Sequence, residues 1–337
     1  MQQLTIGIDV SQEGLDVAYW DGKAPQFIGT FANDTDGLVQ FSSVIENLPV
    51  CQPEQEVLII IEPTGGYEQL LARFAIEHKW NVALPNPRQV RDWARGMGVR
   101  AKTDKQDALI LAHYGASVQP ATWSPPEQEI EILSDLLDRL SDLQTMRQME
   151  ANRLHAHQSK PVTSKSTLPS IKKSLQFFDR QIEQIQTAID QHFDAHPPMK
   201  NLADNLLSIP GVGNKNVQFL VATLGRFDSL TDGCGTAKQL TAFVGLDPVP
   251  YQSGTSVLKR TAISKAGDPI LRRYLFLGAL GGKRGDNLLK AFYERLIQRG
   301  KHKMVALIAC ARKILVWSWA IFRHNTTFDP QKACPAT

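Results

Sequence analysis

The sequence has few cysteines and gives them no paired spacing. Four occur in 337 residues, far apart along the chain, at Cys51, Cys234, Cys310 and Cys334. Disulfide frameworks and zinc sites need cysteines in close or regularly paired positions. The sequence therefore favours neither a disulfide-stabilised secreted fold nor a structural zinc site.

Segments typical of export or of membrane insertion are also missing. The amino terminus has no basic start followed by an apolar run, as a secretory signal would have. The most apolar segment, residues 304–322, is interrupted at its middle by Arg312 and Lys313, and charges at the centre of a membrane span are costly. We therefore expect a buried helix there, and a cytoplasmic protein without a membrane partner.

Length and composition predict several folded units. Apolar residues make up 42% of the chain and charged residues 21%, which excludes wholesale disorder. A chain of 337 residues exceeds what one hydrophobic core usually organises. Proline pairs at Pro125-Pro126 and Pro197-Pro198 separate segments that differ in the spacing of their apolar residues. We predict three domains, residues 1–122, 123–198 and 199–337.

The net charge of +3 conceals a strong asymmetry along the chain. Residues 1–120 hold 9 Lys and Arg against 15 Asp and Glu, whereas residues 198–337 hold 20 against 8. A basic carboxyl-terminal part suits the neutralisation of phosphates, and an acidic amino-terminal part suits the gathering of carboxylates. The asymmetry favours a nucleic-acid partner over a basic surface that is merely solvated.

The first domain is predicted to be an α/β fold. Strands are expected at residues 4–9, 15–20 and 26–31, then at 56–62 and 82–84, with helices at 36–48, 67–78 and 104–117. A strand meander followed by alternating strands and helices implies a mixed sheet covered by helices.

The middle segment has the spacing of long paired helices. Apolar residues recur at steps of three and four, at Leu133, Leu136, Leu140 and Leu143 and again at Ile171, Leu175, Phe178, Ile182, Ile185 and Ile189. Two antiparallel helices could cover each other within one chain. The regular heptad steps favour a coiled-coil arm that also pairs chains.

The last third is predicted to be mainly helical and to contact nucleic acid. Gly211-Val212-Gly213 joins two helical stretches, and glycine lets backbone N–H groups approach a phosphate. A tight corner between helices explains the same residues. Asp268-Pro269 predicts a helix start, and the helix carries Arg272 and Arg273, which either hold phosphate or face solvent.

Four acidic residues form the predicted catalytic site. Asp9 and Glu62 end two predicted strands, and Asp104 and Asp107 share one face at a helix start. A carboxylate at the end of a buried strand is costly unless it is compensated, and Mg²⁺ favours carboxylate oxygen. Taken singly, Asp9 could be a turn residue, and Glu62 and Asp104 could be helix caps. The four together favour a two-metal site for phosphoryl transfer.

Basic residues flank the acidic site in the sequence and are predicted to hold nucleic acid. Trp93 lies among them, either stacked on a base or packed in the core. The six basic residues are Arg88, Arg91, Arg95, Arg100, Lys102 and Lys105.

These motifs resemble the DEDD transposases of the insertion-sequence family numbered 110, which includes the Piv-type DNA invertases. The resemblance covers nearly the whole chain in the family's order. It is carried by residues 6–11 (IGIDVS), 61–67 (IEPTGGY), 102–108 (KTDKQDA), 208–213 (SIPGVG), 243–248 (FVGLDP), 251–256 (YQSGTS) and 264–267 (SKAG).

The resemblance implies a RuvC-like (ribonuclease H) fold for the first domain. It implies that the four acids bind Mg²⁺, with Mn²⁺ as a possible substitute, and that Ser253 is a nucleophile forming a phosphoserine bond, with Ser256 as the fallback. It further implies donor and target DNA, a structured bridge RNA as guide, and dimers that form tetramers. Lys265 lies in a matching motif and is predicted, with the basic residues above, to contact nucleic acid.

Three other functions stay open at this point. A RuvC-like junction nuclease would use the acids without serine chemistry. A sugar-kinase or actin-like ATPase would use Gly7 to Ser11 as its first phosphate loop, but the sequence shows no second such loop before the heptads. A relic without catalysis would bind nucleic acid and retain no metal.

Overall fold

The structure is a computed structural model of the 337-residue chain. It describes residues 3–49, 55–99, 103–162, 164, 166–253 and 257–333, with the backbone alone described at residues 250–253, 257–261 and 333. The chain divides into two compact units, Met1–Pro125 and Pro126–Thr337. Most of the predicted middle domain therefore belongs to the same unit as the remaining helices, and the three-domain division stays a prediction.

The first unit is built from five strands and four helices among its described residues. In chain order they are β1 (Leu4–Val10), β2 (Gly14–Trp20), β3 (Pro25–Ala32), α1 (Thr35–Glu46), β4 (Val57–Ile61), α2 (Gln69–Glu77), β5 (Asn81–Ala83), α3 (Pro87–Gly96) and α4 (Asp104–Val118). The strands form one sheet in the order β3-β2-β1-β4-β5. Strand β2 is antiparallel to both neighbours, whereas β1, β4 and β5 are parallel. The predicted α/β fold with a mixed sheet is confirmed.

Helices cover both faces of this sheet. Because successive side chains of a strand point to opposite faces, Leu4, Ile6 and Ile8 pack on one side with buried residues of α1 and α2. On the other side, Leu58 and Ile60 of β4 pack with α3 and α4. The sheet is therefore the middle of three layers, and α4 lies on the face opposite to α1.

The second unit is mainly helical, as predicted. Its elements are α5 (Gln128–Gln158), α6 (Thr167–Ala195), α7 (Pro197–Leu207), α8 (Asn214–Leu230), α9 (Ala237–Val244), β6 (Pro248–Ser253), β7 (Val257–Ile263), α10 (Pro269–Gly282), α11 (Leu288–Gln298), α12 (Lys303–His324) and α13 (Pro330–Ala333). One continuous apolar core includes residues from α5 to α12.

Helix α12 is the apolar segment that the sequence predicted to be buried. It is long and apolar enough to cross a membrane, with a mean hydropathy of 1.7 over 18 residues. Cys310, Ile314 and Leu315 are nevertheless fully buried in the core of the second unit. Its apolar character is therefore explained by packing, and the predicted buried helix is confirmed.

One helix and one two-stranded hairpin are not predicted from the sequence. Helix α3 begins where Asn86 accepts a hydrogen bond from the Arg88 N–H at 2.9 Å and Pro87 takes the first position, a favourable helix start. Strands β6 and β7 form an antiparallel hairpin within the otherwise helical unit. Pro248 and Pro250 obscure that strand in the sequence, but proline is tolerated in a two-stranded sheet because both strands are edges.

Candidate functional site: an acidic cluster beside strand β1

The first two acids, Asp9 and Glu62, lie at the same edge of the sheet. Strands β1 and β4 are parallel, and Ile8 pairs with Ile61, so the next residues are Asp9 and Glu62. Asp9 shares its face of β1 with Gly7, and Glu62 continues the face of β4 that carries Ile60. Both acids therefore point toward the layer of α3 and α4.

Helix α4 brings the other two acids to this edge. It packs on β1 so closely that a β-carbon on Gly7 would lie 2.1 Å from the Ala112 backbone nitrogen. Asp104 and Ala108 lie on the same helix face as Ala112, because residues four apart are neighbours on a helix. Asp104 and Asp107 form the first turn of α4, where the partial positive charge of the helix end favours carboxylates.

The electrostatics of Asp9 indicate that the other three acids lie on the same side of the sheet and near it. Burial and the nearby carboxylates of Asp107, Asp104, Glu62 and Asp16 together raise the pKa of Asp9 to about 6. Among the described residues, no three His, Cys, Asp or Glu side chains are close enough to coordinate one ion directly. The other acids therefore raise the pKa of Asp9 electrostatically, but the described side chains do not form a closed metal cage. By donor type, carboxylate oxygens that together carry excess negative charge fit a hard cation such as Mg²⁺ or Mn²⁺.

The structural alternatives for these acids are wrong. Asp9 lies within β1 and is not a turn residue. Glu62 does not cap α2, which begins after Glu68. Asp104 does not cap α4, because the N-cap is Thr103, whose hydroxyl accepts a hydrogen bond from the Gln106 N–H at 3.3 Å.

A fifth carboxylate, Asp16, was missed from the sequence. It pairs with Asp9 directly across β1 and β2 and accepts a hydrogen bond from the Thr30 hydroxyl at 2.5 Å. Like charges directly opposite each other destabilise a sheet. Because Leu15 and Val17 face the core on the other side, alternation along β2 could have placed Asp16 on the acidic face.

The structure describes four of the six predicted basic residues near the acidic site. Arg88, Arg91 and Arg95 project from the exposed face of α3, and Arg88 and Arg95 each lie within 4 Å of the Asp92 carboxylate, at 3.8 and 3.7 Å. Lys105 places its ammonium group 5.2 Å from the centre of the Phe27 ring. Arg100 and Lys102 lie outside the described residues.

Trp93 packs inside the first unit. Its ring makes edge contacts with the rings of His113, at 4.9 Å, and Tyr114, at 5.5 Å. These contacts support the core role of Trp93 over base stacking.

The predicted nucleophile Ser253 is the last residue of β6, and its side chain is not described. Ser256 lies outside the described residues. The base of the hairpin that carries Ser253 is well anchored. The Ser264 hydroxyl donates to the Asp247 carboxylate, and the Arg272 guanidinium donates to the carbonyl oxygens of Val244 at 2.9 Å and Gly267 at 2.5 Å. Arg272 thus has a structural role in addition to its predicted nucleic-acid contact.

The two glycines of the predicted phosphate turn differ in their surroundings. Gly211 has a φ of +94°, and a β-carbon there would lie 2.5 Å from the Gly278 carbonyl oxygen, so packing requires this glycine. A β-carbon on Gly213 would meet none of the described atoms within 4 Å. Gly213 opens on a groove of about 780 Å³ that Lys215 also lines.

Lys265 and Arg273 are exposed in the second unit. Lys265 has a φ of +57°, and its backbone N–H donates to the Gly245 carbonyl oxygen at 3.1 Å. The guanidinium group of Arg273 lies 5.3 Å from the centre of the Tyr274 ring. Both side chains are accessible to a partner.

Comparison with known sequences identifies the family of this chain. Residues 6–159 match the DEDD transposase model of the IS110 type, described as a transposase. Residues 203–294 match the transposase family IS116/IS110/IS902. Both matches define a protein class, the transposases that recombine DNA.

Individual relatives agree with these matches. The chain is 32% identical over 335 residues to the pilin gene-inverting protein of Moraxella lacunata, and the alignment covers 98% of each chain. It is equally similar to the pilin gene-inverting protein of Moraxella bovis. An uncharacterised 43.6 kDa protein of insertion element IS110 from Streptomyces coelicolor is 31% identical over 162 residues, which cover 48% of this chain and 38% of that protein. The chain belongs to the IS110 family of transposases, and the predicted family is confirmed.

Proposed function

We propose that this IS110-family transposase cuts and exchanges DNA strands with a Mg²⁺-binding site and a serine nucleophile. Asp9, Glu62, Asp104 and Asp107 would hold the metal, and Ser253 would attack the DNA. The observation that carries the proposal is the convergence of the four acids from β1, β4 and α4, which raises the pKa of Asp9 to about 6. A cluster of this kind costs free energy unless a cation compensates it.

The residues of the acidic cluster fit hard divalent cations. Carboxylate oxygens are the preferred ligands of Mg²⁺, and Mn²⁺ accepts the same donors. Bound there, such cations would activate the attacking oxygen and stabilise the leaving oxygen of a phosphoryl transfer. Asp9 has a central place, because it lies on the middle strand and each of the other three acids affects its pKa.

The strand order supports a RuvC-like fold for the first unit. Its sheet combines an antiparallel hairpin, β1 and β2, with parallel strands β4 and β5, and helices cover both faces. This is the arrangement that the resemblance to ribonuclease H-like enzymes implies. The acids then lie at the carboxyl end of the first strand, at the end of the fourth strand and at the start of a helix.

Ser253 lies at the tip of the β6–β7 hairpin, where a nucleophile would be presented to DNA. A serine hydroxyl needs a base or a metal to become reactive, and in the sequence the nearest histidines are His196 and His302. In the proposed step the serine oxygen bonds to phosphorus and loses its proton. The bond from phosphorus to one sugar oxygen breaks, and that oxygen takes a proton as it leaves.

The partners we propose are donor and target DNA, a structured bridge RNA and further copies of the chain, acting in the cytoplasm. Helices α5 and α6 contain the predicted heptads. Toward the outer end of α6, Ile171, Leu175 and Phe178 are only half-buried. This incompletely covered seam supports a coiled-coil arm that pairs chains into dimers and tetramers.

The test is covalent trapping of the protein on DNA of its own insertion element, with the flanking noncoding RNA and Mg²⁺. We expect an adduct on denaturing gels for the wild type and none for Ser253→Ala. Asp9→Asn should abolish strand cutting. Ser229→Ala, in which the serine lost from α8 donates only to the Gly225 carbonyl oxygen, should leave the adduct intact.

Other outcomes have defined meanings. Loss of the adduct in Ser256→Ala but not in Ser253→Ala would move the nucleophile to Ser256. Cutting that survives Ser253→Ala, without an adduct in any variant, would contradict the serine chemistry and favour a RuvC-like nuclease.

A further inference from the structure

Asn33 joins the loop after β1, the strand that carries Asp9, to the loop after β4, which begins at Glu62. It comes directly after β3, whose carboxyl end lies at the same edge of the sheet as those of β1 and β4. Its side-chain Nδ2 donates to the carbonyl oxygens of Ser11 at 3.0 Å and Tyr67 at 3.1 Å. Ser11 is two residues beyond Asp9, and Tyr67 is five residues beyond Glu62.

The amide of Asn33 is committed to this bridge. An amide nitrogen carries two hydrogens, and both are used by the two carbonyl oxygens. The Oδ1 atom is buried and has no hydrogen-bond partner among the described residues. A buried acceptor without a partner is unfavourable. The burial of Oδ1 therefore does not explain why an asparagine occupies this position. The bridge between the two loops does.

Glu68 closes the loop that follows Glu62. Its Oε2 atom accepts hydrogen bonds from the backbone N–H groups of Thr64 at 3.0 Å and Gly66 at 2.9 Å. The Thr64 hydroxyl in turn donates to the Glu62 carbonyl oxygen at 3.2 Å. Gly65 and Gly66 both have positive φ, +74° and +112°, so the loop turns sharply where the Glu68 carboxylate joins two of its amides.

Glu62 needs such support because the sheet does not hold it. Strand β4 ends at Ile61, and the last paired residues of β1 and β4 are Ile8 and Ile61. The position of Glu62 therefore depends on the loop after it as well as on Ile61 before it. The hydrogen bonds of Asn33 to Tyr67 and of Glu68 to Thr64 and Gly66 fix the path of this loop.

We propose that Asn33 and Glu68 are positioning residues of the acidic site, which hold the loop after β4 so that Glu62 faces Asp9. The inference rests on the proposed metal site and assigns no metal contact to either residue. Outer groups that orient metal ligands commonly affect metal affinity about 10- to 100-fold.

The experiment measures binding of Mn²⁺ alone to the full-length protein by isothermal titration calorimetry, together with Tm in the absence of metal. The variants are Asn33→Ala, Glu68→Ala and Glu68→Gln. The matched control is Asn47→Ala, because Asn47 also donates its Nδ2 to a backbone carbonyl oxygen, that of Ser43, but at the far end of α1.

We expect Asn33→Ala and Glu68→Ala to weaken Mn²⁺ binding about 10-fold. Glu68→Gln should bind nearly as the wild type does, because its amide oxygen still accepts both hydrogen bonds. Asn47→Ala should lower Tm without changing Mn²⁺ affinity. A purely structural role would lower Tm in Asn33→Ala and Glu68→Ala while leaving Mn²⁺ affinity unchanged, and this result would overturn the inference.

Two further results would also overturn it. Equal losses in Glu68→Gln and Glu68→Ala would make Glu68 a metal ligand and not a brace. A wild-type protein that does not bind Mn²⁺ would remove the proposed metal site as well, so the failure of the proposed function is distinguished from the failure of this inference alone. If Asn33→Ala does not fold, the Mn²⁺ affinities of Glu68→Ala and Glu68→Gln test the inference.

Discussion

Gly7 and Ala112 lie so close together that no side chain fits between them. A β-carbon on Gly7 would be 2.1 Å from the Ala112 backbone nitrogen and 2.4 Å from the Ala108 carbonyl oxygen. Strand β1 carries Asp9, and α4 carries Asp104 and Asp107 at its start. The depth at which the helix lies over the strand therefore sets the distance between the acids.

Gly7→Ala should displace α4 and destabilise the first unit. Overpacking of a close backbone contact costs about 1–3 kcal/mol or more in the free energy of unfolding, which urea denaturation measures. Gly29→Ala is the matched control, because Gly29 lies in the same sheet and a β-carbon there would meet none of the described atoms within 4 Å. Equal stability of the two variants would contradict the close contact.

Asp9→Asn should raise the Tm of the metal-free protein at about pH 7.5. The pKa of Asp9 rises from the ordinary 3.8 to about 6 on folding, so the folded state binds the proton more tightly. This contribution favours folding below about pH 3.8 and is lost as the pH rises through about 6, where the carboxylates repel one another.

The gain from Asp9→Asn should therefore be smaller at about pH 5 than at about pH 7.5. Asp21→Asn is the control of opposite sign, because backbone N–H groups of Ala24 and Lys23 lower the pKa of Asp21. It should not raise Tm. A drop in Tm for Asp9→Asn at the higher pH would show that Asp9 is not held in a repulsive cluster.

Alanine substitutions at Gly211 and Gly213 should distinguish a glycine needed for packing from one that contacts nucleic acid. Gly211→Ala places a β-carbon at a φ of +94° against the Gly278 carbonyl oxygen, so the free energy of unfolding should fall by about 1–3 kcal/mol. Gly213→Ala should change it by less than about 1 kcal/mol. Its new β-carbon should obstruct the close approach of a phosphate and so weaken DNA binding, measured by fluorescence anisotropy. Unchanged affinity in Gly213→Ala would remove this contact.

The adjacent arginines of α10 should behave differently. Arg272→Ala removes hydrogen bonds to the carbonyl oxygens of Val244 and Gly267, so it should lower the free energy of unfolding by about 1–3 kcal/mol. Arg273→Ala removes an exposed cation, so Tm should stay near that of the wild type while affinity for DNA falls. An Arg272→Ala protein that is as stable as the wild type and still forms the Ser253 adduct would contradict the anchoring role of Arg272.

Much of the first unit could be predicted from the sequence because its signals are local. The buried strand β4 is a continuous apolar run, and α4 begins with Thr103 followed by two acids in its first turn. The convergence of Asp9 and Glu62 follows from parallel strands, whose carboxyl ends share one edge. These inferences need no knowledge of exact packing.

Other features depend on register and contact, which the sequence does not show. Asp16 joins the acidic face only because it pairs with Asp9 in the β1–β2 register. The bridge made by Asn33 requires three separate segments to meet at one sheet edge. Helix α3 was missed although Asn86-Pro87 is a recognisable start. The proposed role of Ser253 rests on the family resemblance alone, because a serine beside glycine also suits an ordinary turn.

The most direct measurement is anomalous diffraction from crystals of the protein soaked in Mn²⁺. We expect a manganese peak bounded by Asp9, Glu62 and the first turn of α4, and its loss in crystals of Asp9→Asn. Manganese bound only elsewhere on the protein, or a wild-type crystal without a peak beside Asp9 at saturating Mn²⁺, would contradict a metal-dependent acidic site.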